Sequence, residues 1–117
     1  MSLKRVLETL EGFGLKPSDA NVYVFLAKKG PHTGKDLTHA LSMPKQQLYQ
    51  CLRNLENKGI VSANSERSAL FFAVSFERAL DLLVKAKLEE AQRTQQDKDE
   101  ALSYWKFMID AESSKTP

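Results

Sequence analysis

At 117 residues and a formal net charge of +2, the chain is sized for one compact domain, too short for a core plus a separate catalytic or ligand-sensing domain. Its ordinary globular composition, 42% hydrophobic and 27% charged, excludes a disordered chain, and no apolar run approaches the roughly 20 residues that cross a bilayer. A single cysteine, Cys51, excludes an internal disulfide, and with no apolar signal region at the N-terminus the expected location is the cytoplasm, away from membranes.

In chain order, Leu3, Val6, Leu7 and Leu10 recur at helical spacing, and Gly12 and Gly14 end that pattern. Pro17 suits the first turn of a second helix, with Ser18 and Asp19 favourable beside its N-terminus. Ala20, Val22, Tyr23, Leu26 and Ala27 give that helix an apolar face, and Gly30-Pro31 stops it. Thr33 with Asp36 reads as a capping pair for a short third helix whose inward face is Leu37, Ala40 and Leu41. Pro44 opens a fourth helix lined by Leu48, Leu52 and Leu55, with Cys51 beside them, and Lys58-Gly59 closes it.

Two short strands follow, at 60–63 and 69–74, joined by the polar turn Asn64-Ser65-Glu66-Arg67-Ser68. Ser75 caps a last helix, with Glu77 in its first turn, and the helical pattern continues to about Ala111. A short helix, a tight turn, a longer helix and then a hairpin is a helix-turn-helix followed by a wing. The expected fold is therefore mainly α with a small β-hairpin wing (α+β): a winged helix-turn-helix plus a long C-terminal helix. Residues 1–75 form the winged domain, 76–112 the long helix, and 113–117 a disordered tail.

The stretch from Leu15 to Leu26, then Gly30-Pro31, and the run from Met43 to Val61 together resemble TrmB-like archaeal transcriptional regulators. Most specific is Pro44, Tyr49, Leu52, Leu55 and Lys58-Gly59-Ile60-Val61, which matches that family's recognition helix and its entry into the wing. The resemblance covers roughly residues 5–84 and implies double-stranded DNA binding and dimerisation. Three features depart from the pattern. Ser42 stands where the turn usually carries glycine. The returning strand reads Ala69-Leu70-Phe71-Phe72-Ala73, with Leu70 and Phe72 where family members often meet phosphate. The chain ends after one helix, so the sugar-binding domain of larger members, and sugar sensing with it, is not implied.

Charge is unevenly spread. Residues 1–75 hold ten basic side chains against six acidic ones, about +4, which leaves about −2 for the remainder. Affinity for DNA comes largely from phosphate neutralisation, and specificity from polar groups that reach base edges. The fourth helix offers Lys45, Gln46, Gln47, Tyr49, Gln50, Arg53 and Asn54 for this, and Arg67 is the cation of the wing tip. Gln can bond N6 and N7 of adenine, Arg can bond O6 and N7 of guanine, and Lys45 lies where a helix N-terminus meets phosphate. A plainly solvated helix face is the competing interpretation, and for Tyr49 half-buried packing competes with a phosphate contact.

Nothing matches a nucleophilic triad, a pair of catalytic carboxylates, a phosphate-cradling loop or a metal-ligand spacing around His32 and His39. The chain is expected to be no enzyme and to need no cofactor or metal. In the last helix Val84, Leu88, Ala91, Gln95, Lys98, Leu102, Trp105 and Ile109 are spaced alternately four and three apart, the a/d seam of a coiled coil. Its apolar members, Val84, Leu88, Ala91, Leu102, Trp105 and Ile109, are the expected dimerisation residues. The resulting expectation is a homodimeric DNA-binding regulator that blocks or recruits the transcription machinery. The alternative is a winged helix that serves as a protein-interaction module in a larger assembly, which the apolar Leu70 and Phe72 favour.

Overall fold

The computed structural model describes residues 2–64 and 67–114. Its elements are α1 (Leu3–Gly12), α2 (Pro17–Lys29), β1 (His32–Thr33), α3 (Gly34–Leu41), α4 (Lys45–Asn57), β2 (Val61–Ala63), β3 (Leu70–Ala73) and α5 (Phe76–Ser114). This is the expected winged helix-turn-helix, mainly α, with a long last helix. The chain divides into two units between Val84 and Lys85.

Capping chemistry sets most boundaries of the first unit. The Ser2 hydroxyl accepts the Arg5 N–H at 3.3 Å, the Thr33 hydroxyl the Asp36 N–H at 3.2 Å, and the Ser75 hydroxyl the Arg78 N–H at 3.2 Å. At the end of α4, Gly59 takes φ 77, its N–H donates to the Glu56 carbonyl, and the Ile60 N–H donates to the Leu55 carbonyl. Those two bonds satisfy carbonyls that the helix leaves open and turn the chain into β2.

The sheet is antiparallel with strand order β1-β3-β2, so the hairpin expected from the sequence carries a third strand. In it His32 lies opposite Phe71, and Thr33 opposite Leu70. A two-residue strand has no periodicity for a sequence reading to detect. Across the hairpin Val61, Ser62 and Ala63 pair with Ala73, Phe72 and Phe71.

The core centres on α2, which packs against α1, α4 and β3. Ala20, Val22, Tyr23, Val24 and Leu26 are all buried there, around more of the helix than one apolar stripe. Leu37, Leu48, Leu52, Leu55, Ile60, Val61 and Phe71 complete the core, closed by Ala79 and Leu83 from the start of α5. Two expected inward residues are exposed: Ala27, one step around the helix past buried Leu26, and Ala40, because two-turn α3 makes its core contact through Leu37 and Leu41.

Strand alternation sets the wing. Phe71 is buried, Leu70 is half-buried, and Phe72 is 41% exposed. Phe72 lines an apolar groove of about 630 Å³ shared with Leu3 and Val6 of α1, Ala27 of α2, and Phe76. Within the second unit, residues 85–110 are exposed throughout. The helix includes Ser113 and Ser114, which the sequence assigns to the tail. No glycine or proline interrupts residues 76–116. Among the described residues no helix is long and apolar enough to cross a membrane.

Candidate nucleic-acid interface

Helix α4 is the second helix of the helix-turn-helix, and the turn before it is made by a strained residue. Ser42 adopts φ 49 and ψ 44, the left-handed region. Its N–H donates back to the His39 carbonyl, and that of Met43 to the Thr38 carbonyl. This explains why glycine is the usual residue in such a turn: lacking a Cβ, it enters this region without steric cost.

Pro44 then gives α4 an N-cap without a side-chain hydrogen bond, and Lys45, Gln46 and Gln47 form an exposed first turn. Two shallow depressions meet here. One is lined by Lys45, Gln46, Tyr49, Gln50 and Arg53, the other by Gly34, Lys35, Thr38, Lys45 and Tyr49. Lys35 and Thr38 of α3 are thus neighbours of the α4 surface that sequence inspection missed. Lys35 falls on the outer side of α3, nearly opposite Leu37, and half-buried Thr38 flanks the inward face, positions readable from the helical period alone.

Tyr49 is half-buried, edge-on to Phe71 with ring centroids 6.2 Å apart. It covers Gly34 so closely that a Cβ there would come within 2.7 Å of the tyrosine Cζ. Packing therefore fixes this ring, and its outer edge lines both depressions.

A polar relay crosses from α2 to the exposed face of α4. Asp19 is only 2% exposed, and its Oδ2 accepts from Asn54 Nδ2 at 3.3 Å. Asn54 Oδ1 accepts from Gln50 Nε2 at 3.0 Å, and Gln50 Oε1 accepts from Arg53 Nη2 at 3.0 Å. Asn54 is thus half-buried and turned toward α2, which corrects its expected place on the outward face. A buried carboxylate must be hydrogen-bonded, and Asn54 supplies an amide donor beside the Cys51 thiol. The signal was present in the sequence: Asp19 shares a helical face with Val22, Tyr23 and Leu26, so it had to point inward. The relay also orients each amide, directing the Gln50 oxygen to Arg53 and its nitrogen to Asn54. Gln50 and Arg53 remain exposed.

Cys51 lies buried beneath this face. Burial pushes its thiol up; the Asp19 carboxylate adds to that shift and a hydrogen bond with Ser18 opposes it. Such a thiol is inert packing, not a nucleophile. His32 is likewise accounted for, bonded through Nδ1 to the Gly30 carbonyl at 2.7 Å and edge-on to Phe25. Arg67 of the wing tip is exposed, while Ser65 and Glu66, two members of the expected turn, lie outside the described residues.

The profile of the sugar-specific transcriptional regulator TrmB matches residues 10–77, which span the helix-turn-helix and the wing. The HTH-type sugar sensing transcriptional regulator TrmBL1 of Pyrococcus furiosus is 27% identical over 90 residues, covering 77% of this chain and 26% of that protein. Among solved structures, TrmBL2, an archaeal chromatin protein described with a novel mode of DNA binding, superposes with a TM-score of 0.82 at 24% identity, over 99% of this chain and 47% of its own. The transcriptional regulator Tm0710 from Thermotoga maritima gives 0.56 at 16% identity, over 97% and 88% of the two chains. MepR of S. aureus in complex with DNA gives 0.52 at 15% identity, over 92% and 86%. At those identities the structures share the fold. The chain spans about a quarter of the curated relative and less than half of TrmBL2. With its winged helix-turn-helix matched from Leu10 to Glu77, the chain belongs to the TrmB family of transcriptional regulators.

Proposed function

We propose that this chain is a sequence-specific, double-stranded DNA-binding transcriptional regulator acting as a homodimer. The observation that carries it is the exposed polar face of α4. Lys45, Gln46, Gln47, Gln50 and Arg53 stand together on the second helix of a helix-turn-helix, beside a wing that offers Arg67. Gln50 and Arg53 are the base-reading pair, Lys45 and Arg67 the phosphate contacts, and Asn54 and Tyr49 hold the face in shape. The basic first 75 residues suit the DNA surface. The family and the neighbour solved with DNA support the same reading, and such a regulator works inside the cell, beside the genome. Two symmetry-related α4 helices would enter successive major grooves, paired through the seam of α5, and occupancy would block or recruit the transcription machinery.

Binding of duplexes selected from a random pool tests this. Arg53→Ala or Gln50→Ala is expected to cost about 1–3 kcal/mol on the preferred site and to relax its sequence preference. Lys45→Ala is expected to weaken all sequences alike and to make the salt slope about one unit shallower. Three variants that bind like the parent would show that this face is the wrong one. The second reading, a protein-interaction module, is favoured by Phe72, whose exposed ring lines an apolar groove. It predicts no steep loss of duplex affinity with salt.

A further inference from the structure

The seam of α5 carries information about how two copies would pair, as well as whether they do. Leu88, Leu102 and Trp105 are exposed, Trp105 by 60%, as are Ala91, Gln95 and Lys98. An apolar stripe of this length left in water is unusual for a monomer. From the pairing chemistry along it we infer that the partner is a second copy of this chain, with the two α5 helices running antiparallel about a dyad between Gln96 and Asp97. This rests on the homodimer reading above and adds the polarity and register of its interface.

Two arrangements can close the seam. Parallel, in-register pairing sets each residue against its own copy. Lys98 would then meet the partner's Lys98 inside the seam, and Ala91 would face the partner's Ala91, leaving a thin layer. Like charges brought together out of water are unfavourable, and an unfilled layer loses packing.

Antiparallel pairing about the proposed dyad removes both defects. Lys98 meets the partner's Gln95, whose amide oxygen can accept from the ammonium. Ala91 meets the partner's Leu102, a small residue against a large one. Leu88 meets the partner's Trp105, and Val84 the partner's Ile109. Every layer is then apolar on apolar or donor on acceptor. Tyr104 and Phe107 fall outside the seam in either arrangement.

Charge favours the same choice. Residues 84–96 carry Lys85, Lys87 and Arg93 against Glu89 and Glu90, a balance of +1. Residues 97–109 carry Lys98 and Lys106 against Asp97, Asp99 and Glu100, a balance of −1. Antiparallel pairing lays each positive half along a negative one, and sets Gln92 beside the partner's Asp99. Its like-charge approach, Lys85 to the partner's Lys106, lies at the solvated flank where charges are screened. Head-to-tail pairing also separates the two Val84 positions by about 38 Å along the axis, whereas parallel pairing brings them side by side.

The test is a spin label at Asp110→Cys in a chain carrying Cys51→Ala, with the distance between labels read by pulsed electron paramagnetic resonance. Antiparallel pairing puts the two labels about 40 Å apart along the rod. Parallel pairing puts them within about 25 Å, the span of two adjacent helices and their labels. The unsubstituted protein gives a second readout after mixing of isotopically light and heavy chains and treatment with a short lysine cross-linker. Lys85 and Lys106 are about 31 Å apart along one helix, so a light-to-heavy Lys85–Lys106 link supports the antiparallel pair. A dimer with short label distances and Lys106–Lys106 links overturns the polarity and leaves the homodimer standing. A protein that sediments as a monomer at tens of micromolar, with no coupling between labels, overturns both.

Discussion

Two single residues do more for the exposed face of α4, the proposed DNA surface, than their own exposure suggests. Asp19 is buried and has no route to DNA, yet it terminates the relay through Asn54 and Gln50 to Arg53. Asp19→Ala leaves the Asn54 amide without its acceptor and frees the two side chains beyond it. The expected loss is about 1–3 kcal/mol of folding stability in urea unfolding. Preference among duplex sequences should relax as well, with the salt slope unchanged, because no phosphate contact is touched. Asp19→Asn keeps an acceptor at this site and should retain most of both properties. An Asp19→Ala variant with full sequence preference would show that the relay does not position Arg53. Ser42 is the second case. It is the described non-glycine residue with positive φ, a conformation that a Cβ makes costly. Ser42→Gly should match or slightly exceed the parent in stability, whereas Ser42→Val should lose about 1–2 kcal/mol, since branching at Cβ is least tolerated there. Denaturation midpoints of the three proteins check that order.

At the scale of elements, the wing is held by α2. The Tyr23 hydroxyl donates to the Val74 carbonyl at 2.7 Å, just beyond β3, and burial pushes its phenol up to about 12. The folded pKa lies above the unfolded value of about 10, so the folded state keeps this proton where the unfolded state gives it up. The stability tied to Tyr23 is therefore complete below pH 10 and lost as pH rises toward 12. Tyr23→Phe should cost about 1 kcal/mol at neutral pH through the missing hydrogen bond, and its alkaline loss of stability should be shallower than the parent's. Unfolding curves at pH 8 and pH 11 give the comparison; equal alkaline slopes would refute it. How legible such features were depended on their range in sequence. Helices announced themselves because caps and periodicity are local: Thr33 before Asp36, Ser75 before Glu77, Gly59 after Lys58. Strand β1 did not, because two residues become a strand only when β3 arrives from nearly forty positions away. For the same reason the polar face of α4 was readable as a set of residue types, while its wiring was not. That Asn54 turns to Asp19, and Tyr49 to Gly34 and Phe71, depends on contacts between elements separated in sequence.

For the whole molecule, the division between Val84 and Lys85 sets up a test of what α5 contributes. Among the described residues, every buried member of the core lies between Leu10 and Leu83. A chain ending after Glu90 keeps all of them, together with the cap at Ser75 and the first turns of α5 that bury Ala79 and Leu83. Its winged unit should fold with the same cooperative transition as in the parent, within about 1 kcal/mol, because residues 91–110 are exposed and contribute little burial to that unit. The shortened chain should also lose most of the seam, from Ala91 to Ile109, and sediment as a monomer. DNA binding then changes in two ways. In the proposed homodimer each winged unit gains a high effective concentration from its twin, and without it affinity for a two-half-site duplex should fall by about 10²-fold or more. With half the phosphate contacts in play, the slope of log affinity against log salt should fall to about half the parent's value. A single half-site, in contrast, should bind the shortened and full-length chains about equally, since one recognition helix is all that either can use. If the shortened chain binds the two-half-site duplex as tightly as the parent, α5 has no part in DNA recognition.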